Sequence, residues 1–239
     1  MTCPLCHNSR FAALGVKDRH EIIRCLDCGI RYVRNMPTEA ELAAYYAAYH
    51  GNLKNVRNAA RKVRRWRRRL WLLRRLARGP AFLEIGCNTG FAVEAARRLG
   101  FHATGFDLST EAIACAQATF AGCSFQHGTA ETAAASGKRY DAVLCSEVIE
   151  HLTTLDGFAN ALGDLVAPGG LLYLTTPDTE HFMTPRDLLG WKEICPPHHL
   201  IYFNRAQILR FLQDAGFRVV LFLPVWHKAN IRVIARRVA

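Results

Sequence analysis

The chain has 239 residues, half of them apolar, enough for one α/β domain of ordinary size with a small appendage. No apolar run is long enough to span a bilayer and the N-terminus has no signal-peptide pattern, so a cytoplasmic protein is expected. The net charge of +11 raises nucleic acid as a partner, but residues 54 to 78 hold twelve Lys and Arg and no acid, so the basicity belongs to one segment.

Cys3-Pro-Leu-Cys6 and Cys25-Leu-Asp-Cys28 are two C-x-x-C pairs separated by eighteen residues. That spacing wraps four thiolates around one tetrahedral Zn2+, as in a ribbon-like module spanning residues 1–36. A redox dithiol needs its C-x-x-C at a helix start after a strand, which is not the context here. Phe11 to Val16 and Glu21 to Arg24 leave room between the knuckles for a hairpin only, so the metal would supply folding energy that so small a core lacks. Five further cysteines are scattered downstream, and an odd total suits a reducing compartment.

Residues 37–79 form a helical segment. Thr38 and Glu41 make a capping box for a helix running to about His50, which carries Tyr45, Tyr46 and Tyr49. A second helix, about Ala59 to Ala77, sets Val63, Trp66, Leu70 and Leu73 on one face and arginines on the other. Three uses of the arginine face are open: a solvated surface, a contact to phosphates of RNA or to an acidic partner, or a seat on an anionic membrane. Gly79-Pro80 breaks the chain before the main domain, residues 80–239.

Ala81 to Ile85 is a short apolar strand that stops at a glycine turn, Gly86 to Gly90, and passes into a helical pattern from Phe91 to Leu99. The next strand, Phe101 to Phe106, ends in Asp107, placed to accept hydrogen bonds from both ribose hydroxyls of an adenosine over the strand ends. In the dinucleotide register G-x-G-x-x-G, Asn88 and Phe91 stand where the second and third glycines belong, which argues against a pyrophosphate ligand.

The run Glu84-Ile-Gly86-Cys87-Asn88-Thr-Gly90-Phe91 resembles motif I, E-x-G-x-G-x-G, of the class I S-adenosylmethionine-dependent methyltransferases, with Asn88 at the middle glycine. Asn tolerates positive φ better than most residues, so the departure is mild. The resemblance implies a Rossmann-like α/β fold with a seven-stranded sheet and a terminal antiparallel hairpin. It also implies S-adenosyl-L-methionine as cofactor, held by Glu84, Gly86, Cys87, Asn88, Gly90, Phe91, Asp107, Leu108, Ala130, Glu131, Ser146 and Glu147. Ala130 and Glu131, after a short strand at Ser124 to Gln126, match the place where family members meet the adenine.

A fourth strand, Tyr140 to Cys145, leads into Ser146-Glu147-Val-Ile-Glu150-His151, which by the rule for open α/β sheets borders the ligand crevice. A helix from Leu155 to Val166, a turn at Ala167-Pro-Gly-Gly170 and a fifth strand, Leu171 to Thr176, follow. Residues 177–203 are a Pro-rich insert with His181, Trp191, His198, His199 and Tyr202, and a loop this long in a compact domain reads as a substrate lid. Asn204 and Gln207 cap a helix ending before Gly216. Phe217 to Leu223 and Ile231 to Arg236 close the chain as a hairpin.

Methyl transfer to a hydroxyl requires orientation of the nucleophile and removal of its proton, a task for histidine near neutral pH. His199 is the first candidate base, with His151 and His198 beside it. The string Glu147-x-x-Glu150-His151 with a later histidine also resembles the metal set of the small-RNA 3′-terminal 2′-O-methyltransferases and the matching string of ubiquinone-biosynthesis O-methyltransferases. By that resemblance Mg2+ or Mn2+ would sit at Glu147, Glu150, His151 and His199. Three functions are therefore weighed: O-methylation of a small molecule, methylation of RNA gripped by the arginine helix and zinc module, and a non-catalytic scaffold that keeps cofactor binding.

Overall fold

The structure is a computed structural model that describes residues 2–38, 40–42, 45 and 58–238. Its centre is a seven-stranded sheet made of β4 (Ala81–Ile85), β5 (His102–Asp107), β6 (Ser124–His127), β7 (Tyr140–Ser146), β8 (Val166–Pro177), β10 (Phe217–Phe222) and β11 (Asn230–Arg237). The spatial order is β10-β11-β8-β7-β4-β5-β6. All neighbours are parallel except β11, which runs antiparallel to both β8 and β10. Both the expected sheet and its terminal hairpin are therefore present.

Alternation along the strands splits the core in two, as a sheet covered on both faces requires. Leu83, Ile85, Val143, Cys145, Leu172 and Leu174 face one side; Phe82, Ala142, Leu144, Leu171 and Tyr173 face the other. The second side is covered by α1 (Ala59–Leu76), α2 (Phe91–Arg97) and α3 (Thr110–Thr119), which contribute Val63, Leu70, Leu73, Val93 and Ile113. The first is covered by α4 (Ala130–Ala134), α5 (Asp156–Leu165) and α6 (Arg205–Asp214), through Ala133, Phe158, Leu162, Ile208 and Phe211.

α1 buries Val63, Leu70 and Leu73 at helical spacing, and Ala77 N–H closes its last turn on Leu73 O. Arg61, Arg64, Arg65, Arg67, Arg68 and Arg75 point to solvent, and none has an acidic partner among the described residues. The Thr38–Glu41 capping box is present, with Thr38 N–H donating to Glu41 Oε2 (2.7 Å) and Glu41 N–H to Thr38 Oγ1 (3.3 Å). Most of the helix expected after it, with Tyr46 and Tyr49, lies outside the described residues, as do Lys54 and Arg57. At α6, Asn204 and Gln207 exchange the expected cap bonds at 2.7 and 3.0 Å.

Two expectations change. The stretch Ala167-Pro-Gly-Gly170 is no turn but part of β8, where the register to β7 slips between Tyr140 and Ala142; Gly169 at φ 72° and the donor-less Pro168 suit a bulge. The insert 177–203 is not simply draped over the strand ends. It carries β9 (Ile201–Tyr202), which joins the knuckle strands β1 (Phe11–Lys17), β2 (His20–Cys25) and β3 (Arg31–Val33) in a second sheet ordered β1-β2-β3-β9. Ile22, Ile23, Tyr32 and Val33 accordingly share one core with Leu200, Ile201 and Phe203.

Candidate functional site

The crevice lies at the carboxyl ends of β4, β5 and β7. After β4 the backbone turns through three left-handed residues, Gly86 (φ 70°), Asn88 (φ 46°) and Gly90 (φ 80°), so Asn88 adopts the conformation of the glycine it replaces. A Cβ on Gly86 would stand 2.5 Å from Val148 Cγ2, and one on Gly90 2.6 Å from the Phe125 ring; both positions are closed to larger residues.

Asp107 ties this loop together. Its Oδ2 accepts from Asn88 N–H (2.7 Å) and its Oδ1 from Ser109 N–H (2.9 Å). Burial raises its pKa, and the two backbone hydrogen bonds work against that rise. Glu84 is buried in mid-strand with Oε2 unpartnered, and burial followed by the nearby Asp107 charge pushes its pKa well above the carboxylate range. Such an acceptor fits a ligand that brings its own donor. Leu108, 61% exposed beside Asp107, offers an apolar platform.

The other expected donor contacts fall as follows. Cys87 is buried, with its thiol pKa raised first by burial, and points at Asn88 O (3.7 Å). Phe91 packs edge-on to Phe120 and under Lys62 Nζ, on the far side of the loop. Ala130 is buried at the start of α4, whose Thr129 cap accepts from Thr132 N–H, while Glu131 is exposed.

At the tip of β7, Ser146 Oγ lies 2.9 Å from Thr175 Oγ1, and Thr175 Oγ1 donates to Glu147 Oε1 at 2.8 Å. Glu147 has φ 57°, a strained value for a non-glycine residue. Asn230 Nδ2 (2.8 Å) and Lys228 Nζ (2.7 Å) also donate to its carboxylate. Burial works to raise Glu147, but the Lys228 charge and these hydrogen bonds prevail and hold it below the ordinary range. Glu150, 1% exposed, goes the other way: burial, then the Glu147 charge, raise it well above the ordinary value, although Thr176 Oγ1 donates to it (3.0 Å).

Glu150 and His151 sit on a 3-10 turn, Ile149–His151, just after the tip of β7. His151, His198 and His199 come together, with ring centroids 4.5, 4.9 and 5.0 Å apart. Ring nitrogens of all three fall within 4.8 Å of one another. Tyr45 stacks obliquely on His198 at 6.0 Å. His199 Nδ1 is 2.8 Å from Glu193 O and His151 Nδ1 is 2.5 Å from His198 O. A carbonyl only accepts, so both Nδ1 atoms carry the proton and Nε2 is the basic nitrogen. Burial, then the neighbouring imidazoles, lower His151 to about 3; burial also lowers His198 and His199, so the trio is neutral at pH 7.

The set expected for Mg2+ or Mn2+ is thus not assembled as a set. Glu147 is turned to β11 by Lys228 and Asn230, Glu150 is buried against Thr176, and the groups that converge are three imidazoles, a poor match to a hard, oxygen-seeking ion.

The four knuckle sulfurs do converge, with Cys3 and Cys28 at 3.6 Å, Cys6 and Cys25 at 3.5 Å, and all four within 4.8 Å. Thiolates at about 2.3 Å around a tetrahedral Zn2+ stand about 3.8 Å apart, so the geometry fits that ion. Hydrogen bonding from Cys28 brings the Cys3 thiol down to about 5, while Cys28 is raised in exchange.

Sequence reasoning missed Lys228, Asn230, Thr175 and Glu193, which hold Glu147 and His199. Only Asn230 left a readable signal: β11 runs antiparallel to β8, so its first residue must lie opposite the last residue of β8, Pro177. A further cavity of about 530 Å³, lined by His181, Phe182, Arg205, Val225 and Trp226 among others, contains no residue of the donor loop or the histidine trio.

A family model described as a methyltransferase domain matches residues 56–221. The chain belongs to this methyltransferase family. It is 38% identical over 185 residues to the ubiquinone biosynthesis O-methyltransferase of Brucella ovis, an overlap covering 67% of this chain and 74% of the relative. The corresponding Brucella melitensis biotype 1 protein is 37% identical over the same lengths. Among solved structures, the magnesium protoporphyrin IX methyltransferase of Synechocystis PCC 6803 with bound SAM aligns at TM-score 0.58 and 17% identity, over 85% of this chain and 99% of that one. A glycopeptide N-methyltransferase complexed with sinefungin aligns at TM-score 0.57 and 21% identity, over 72% and 92%. The fold of this methyltransferase is thus the class I fold. No helix among the described residues is long and apolar enough to cross a membrane.

Proposed function

We propose that the chain transfers a methyl group from S-adenosylmethionine to a hydroxyl of a small molecule, of the phenol or catechol class, with His199 as general base. The carrying observation is the neutral, buried His199, whose Nδ1 is fixed on Glu193 O and whose ring lies 4.9 and 5.0 Å from the other two imidazoles. The relatives' O-methyltransferase activity supports the choice of oxygen as acceptor.

In this reading Glu84, the turn Gly86–Gly90, Asp107 and Leu108 hold the donor, which supplies an electrophilic methyl on a sulfonium. His199 Nε2 takes the hydroxyl proton as the oxygen attacks and S-adenosylhomocysteine leaves; the burial shared with His151 and His198 keeps His199 unprotonated and so available as a base before the reaction. Glu147, ionised and tethered to Lys228 and Asn230 at the tip of β7, would add a fixed negative charge near the cationic donor. No step runs through Mg2+ or Mn2+. The knuckle cysteines hold structural Zn2+, a reading supported by the convergence of the four sulfurs.

The test is transfer of labelled methyl from S-adenosylmethionine to a panel of catechols, phenols, amines and RNA in the presence of chelator at neutral pH. Label confined to the hydroxyl compounds is expected; label in amines or RNA, with none in phenols or catechols, overturns the acceptor class.

A further inference from the structure

The knuckle module and the acceptor histidines are far apart in sequence yet share a backbone. The turn of the second knuckle is closed by Gly29 N–H to Cys25 O (3.0 Å) and Cys25 N–H to Ile30 O (2.9 Å), and it runs straight into β3. There Arg31 pairs with Tyr202 and Tyr32 with Ile201. Val33 N–H then donates to Leu200 O (2.9 Å), and Leu200 N–H to Glu150 O (2.7 Å). Leu200 is thereby stitched on one side to the module and on the other to the turn that carries His151. Its predecessor, His199, is held through its carbonyl by Tyr202 O–H at 2.7 Å, and Tyr202 is itself a β3 partner.

Other contacts repeat the attachment at both ends of the insert. Arg31 Nη1 donates to Thr179 Oγ1 (3.0 Å) and Lys17 Nζ to Leu189 O (2.9 Å). Leu189 fills the space above Gly15, where a Cβ would stand 2.5 Å from its Cδ1. Gln207 Nε2, from the helix after the insert, donates to Cys28 O (3.2 Å). By contrast, the bonds that fix the donor loop, from Asp107 to Asn88 and Ser109, involve no residue of the module.

Strands of seven, six and three residues cannot hold such an arrangement by their own core, so their order depends on the knuckles that close them. We propose that a zinc-class ion at Cys3, Cys6, Cys25 and Cys28 sets the geometry of His199 through β3 and β9, so that acceptor chemistry, but not donor binding, is conditional on metal loading of the module. Arg31 and Tyr202 act as positioning residues in this link. The inference rests on the zinc reading above, and its test separates the two.

The full-length protein is purified, its zinc content measured, and the ion removed with chelator and then restored. Amide hydrogen exchange is followed in residues 20–33, 198–204 and 86–107, together with calorimetric affinity for S-adenosylhomocysteine and methyl transfer. Expected on stripping are faster exchange in 20–33 and 198–204, unchanged exchange in 86–107, donor affinity within about threefold, and a turnover loss of about a hundredfold from misplaced histidines, all reversed by zinc. Faster exchange in 20–33 alone, with zinc bound beforehand, overturns the coupling and leaves the zinc site standing. A protein that neither contains nor binds zinc overturns both, and loss of protection in 86–107 shows the module to be part of the global fold, which also overturns the inference. Tyr202→Phe keeps every cysteine and removes only the hydroxyl on His199 O. It is expected to retain full zinc and donor affinity while kcat falls about three- to tenfold, the value of one hydrogen bond; an unchanged kcat breaks the proposed link.

Discussion

The core of the proposed donor half comes from one continuous piece of chain, whereas the proposed acceptor half is assembled from three. Glu84, Gly86, Asn88, Gly90 and Asp107 fall within twenty-four residues and are fixed by a strand, a turn and the next strand. The proposed acceptor side draws His151 from the turn after β7, His198 and His199 from the insert, and its support from the first thirty-three residues. A local site folds with its element and tolerates change elsewhere; a composite site is exposed to every long-range pairing that builds it. Acceptor chemistry should therefore be the more fragile half.

The sharpest way to break this contrast is His199→Ala. Removing a general base should lower kcat by about 10²–10⁴. Affinity for S-adenosylhomocysteine should stay put, because no donor-loop residue touches His199. A parallel loss of donor affinity would mean that the halves are one unit.

Asp107→Ala is the reciprocal probe. The carboxylate holds two loop amides and is the expected partner of the ribose, and hydrogen bonds to a charged group contribute about 1.5–3 kcal/mol each, so calorimetric donor affinity should fall about a hundredfold or more. Exchange protection in residues 198–204 should be unaffected. Unchanged affinity would remove Asp107 from the donor site.

The same contrast explains what was legible in the sequence. The loop after β4, the acid at the end of β5, the helix caps, the amphipathic α1 and the terminal hairpin are set by spacing over a few residues, and spacing is what a sequence displays. The convergence of the four cysteines was legible because paired C-x-x-C knuckles have a characteristic spacing. The convergence of His151, His198 and His199 was legible only as three candidates, and the metal set built from Glu147 and Glu150 did not assemble, because both carboxylates are committed elsewhere. Lys228 reaches Glu147 across eighty-one residues, and a lone lysine in a hairpin loop carries no mark of its partner. The pairing of β3 with β9 was likewise hidden, since three- and two-residue strands fall below any readable alternation.

A smaller effect tests how tightly the donor turn is built. Gly86→Ala places a Cβ on a residue at φ 70° and 2.5 Å from Val148 Cγ2, so strain and overlap together should cost about 1–3 kcal/mol of stability, read as a lowered urea midpoint. Gly137→Ala provides the control, since it has φ 69° but open space around it and should cost only the backbone share. Equal losses at the two sites would mean that the contact with Val148 is soft.

The smallest effect concerns pH. The trio's pKa values lie below that of an ordinary imidazole, with His151 near 3, because burial disfavours the charged form and, at His151 and His198, neighbouring imidazoles oppose it further. His199 consequently remains a base at pH values where a solvated histidine would be protonated. At pH 6 a histidine of ordinary pKa, about 6.5, is roughly one quarter neutral, so a lowered His199 should hold kcat above that expectation, by at most about fourfold, with the acid limb displaced downward. The stability linkage has a matching sign. The unfolded chain binds more protons at these histidines than the folded one, so their contribution is fully present above about 6.5 and is lost as pH falls toward the lower folded values. An acid limb centred at 6.5, found alongside unchanged folding, would show that the base titrates in water and would return the acceptor reaction to a group outside the buried trio.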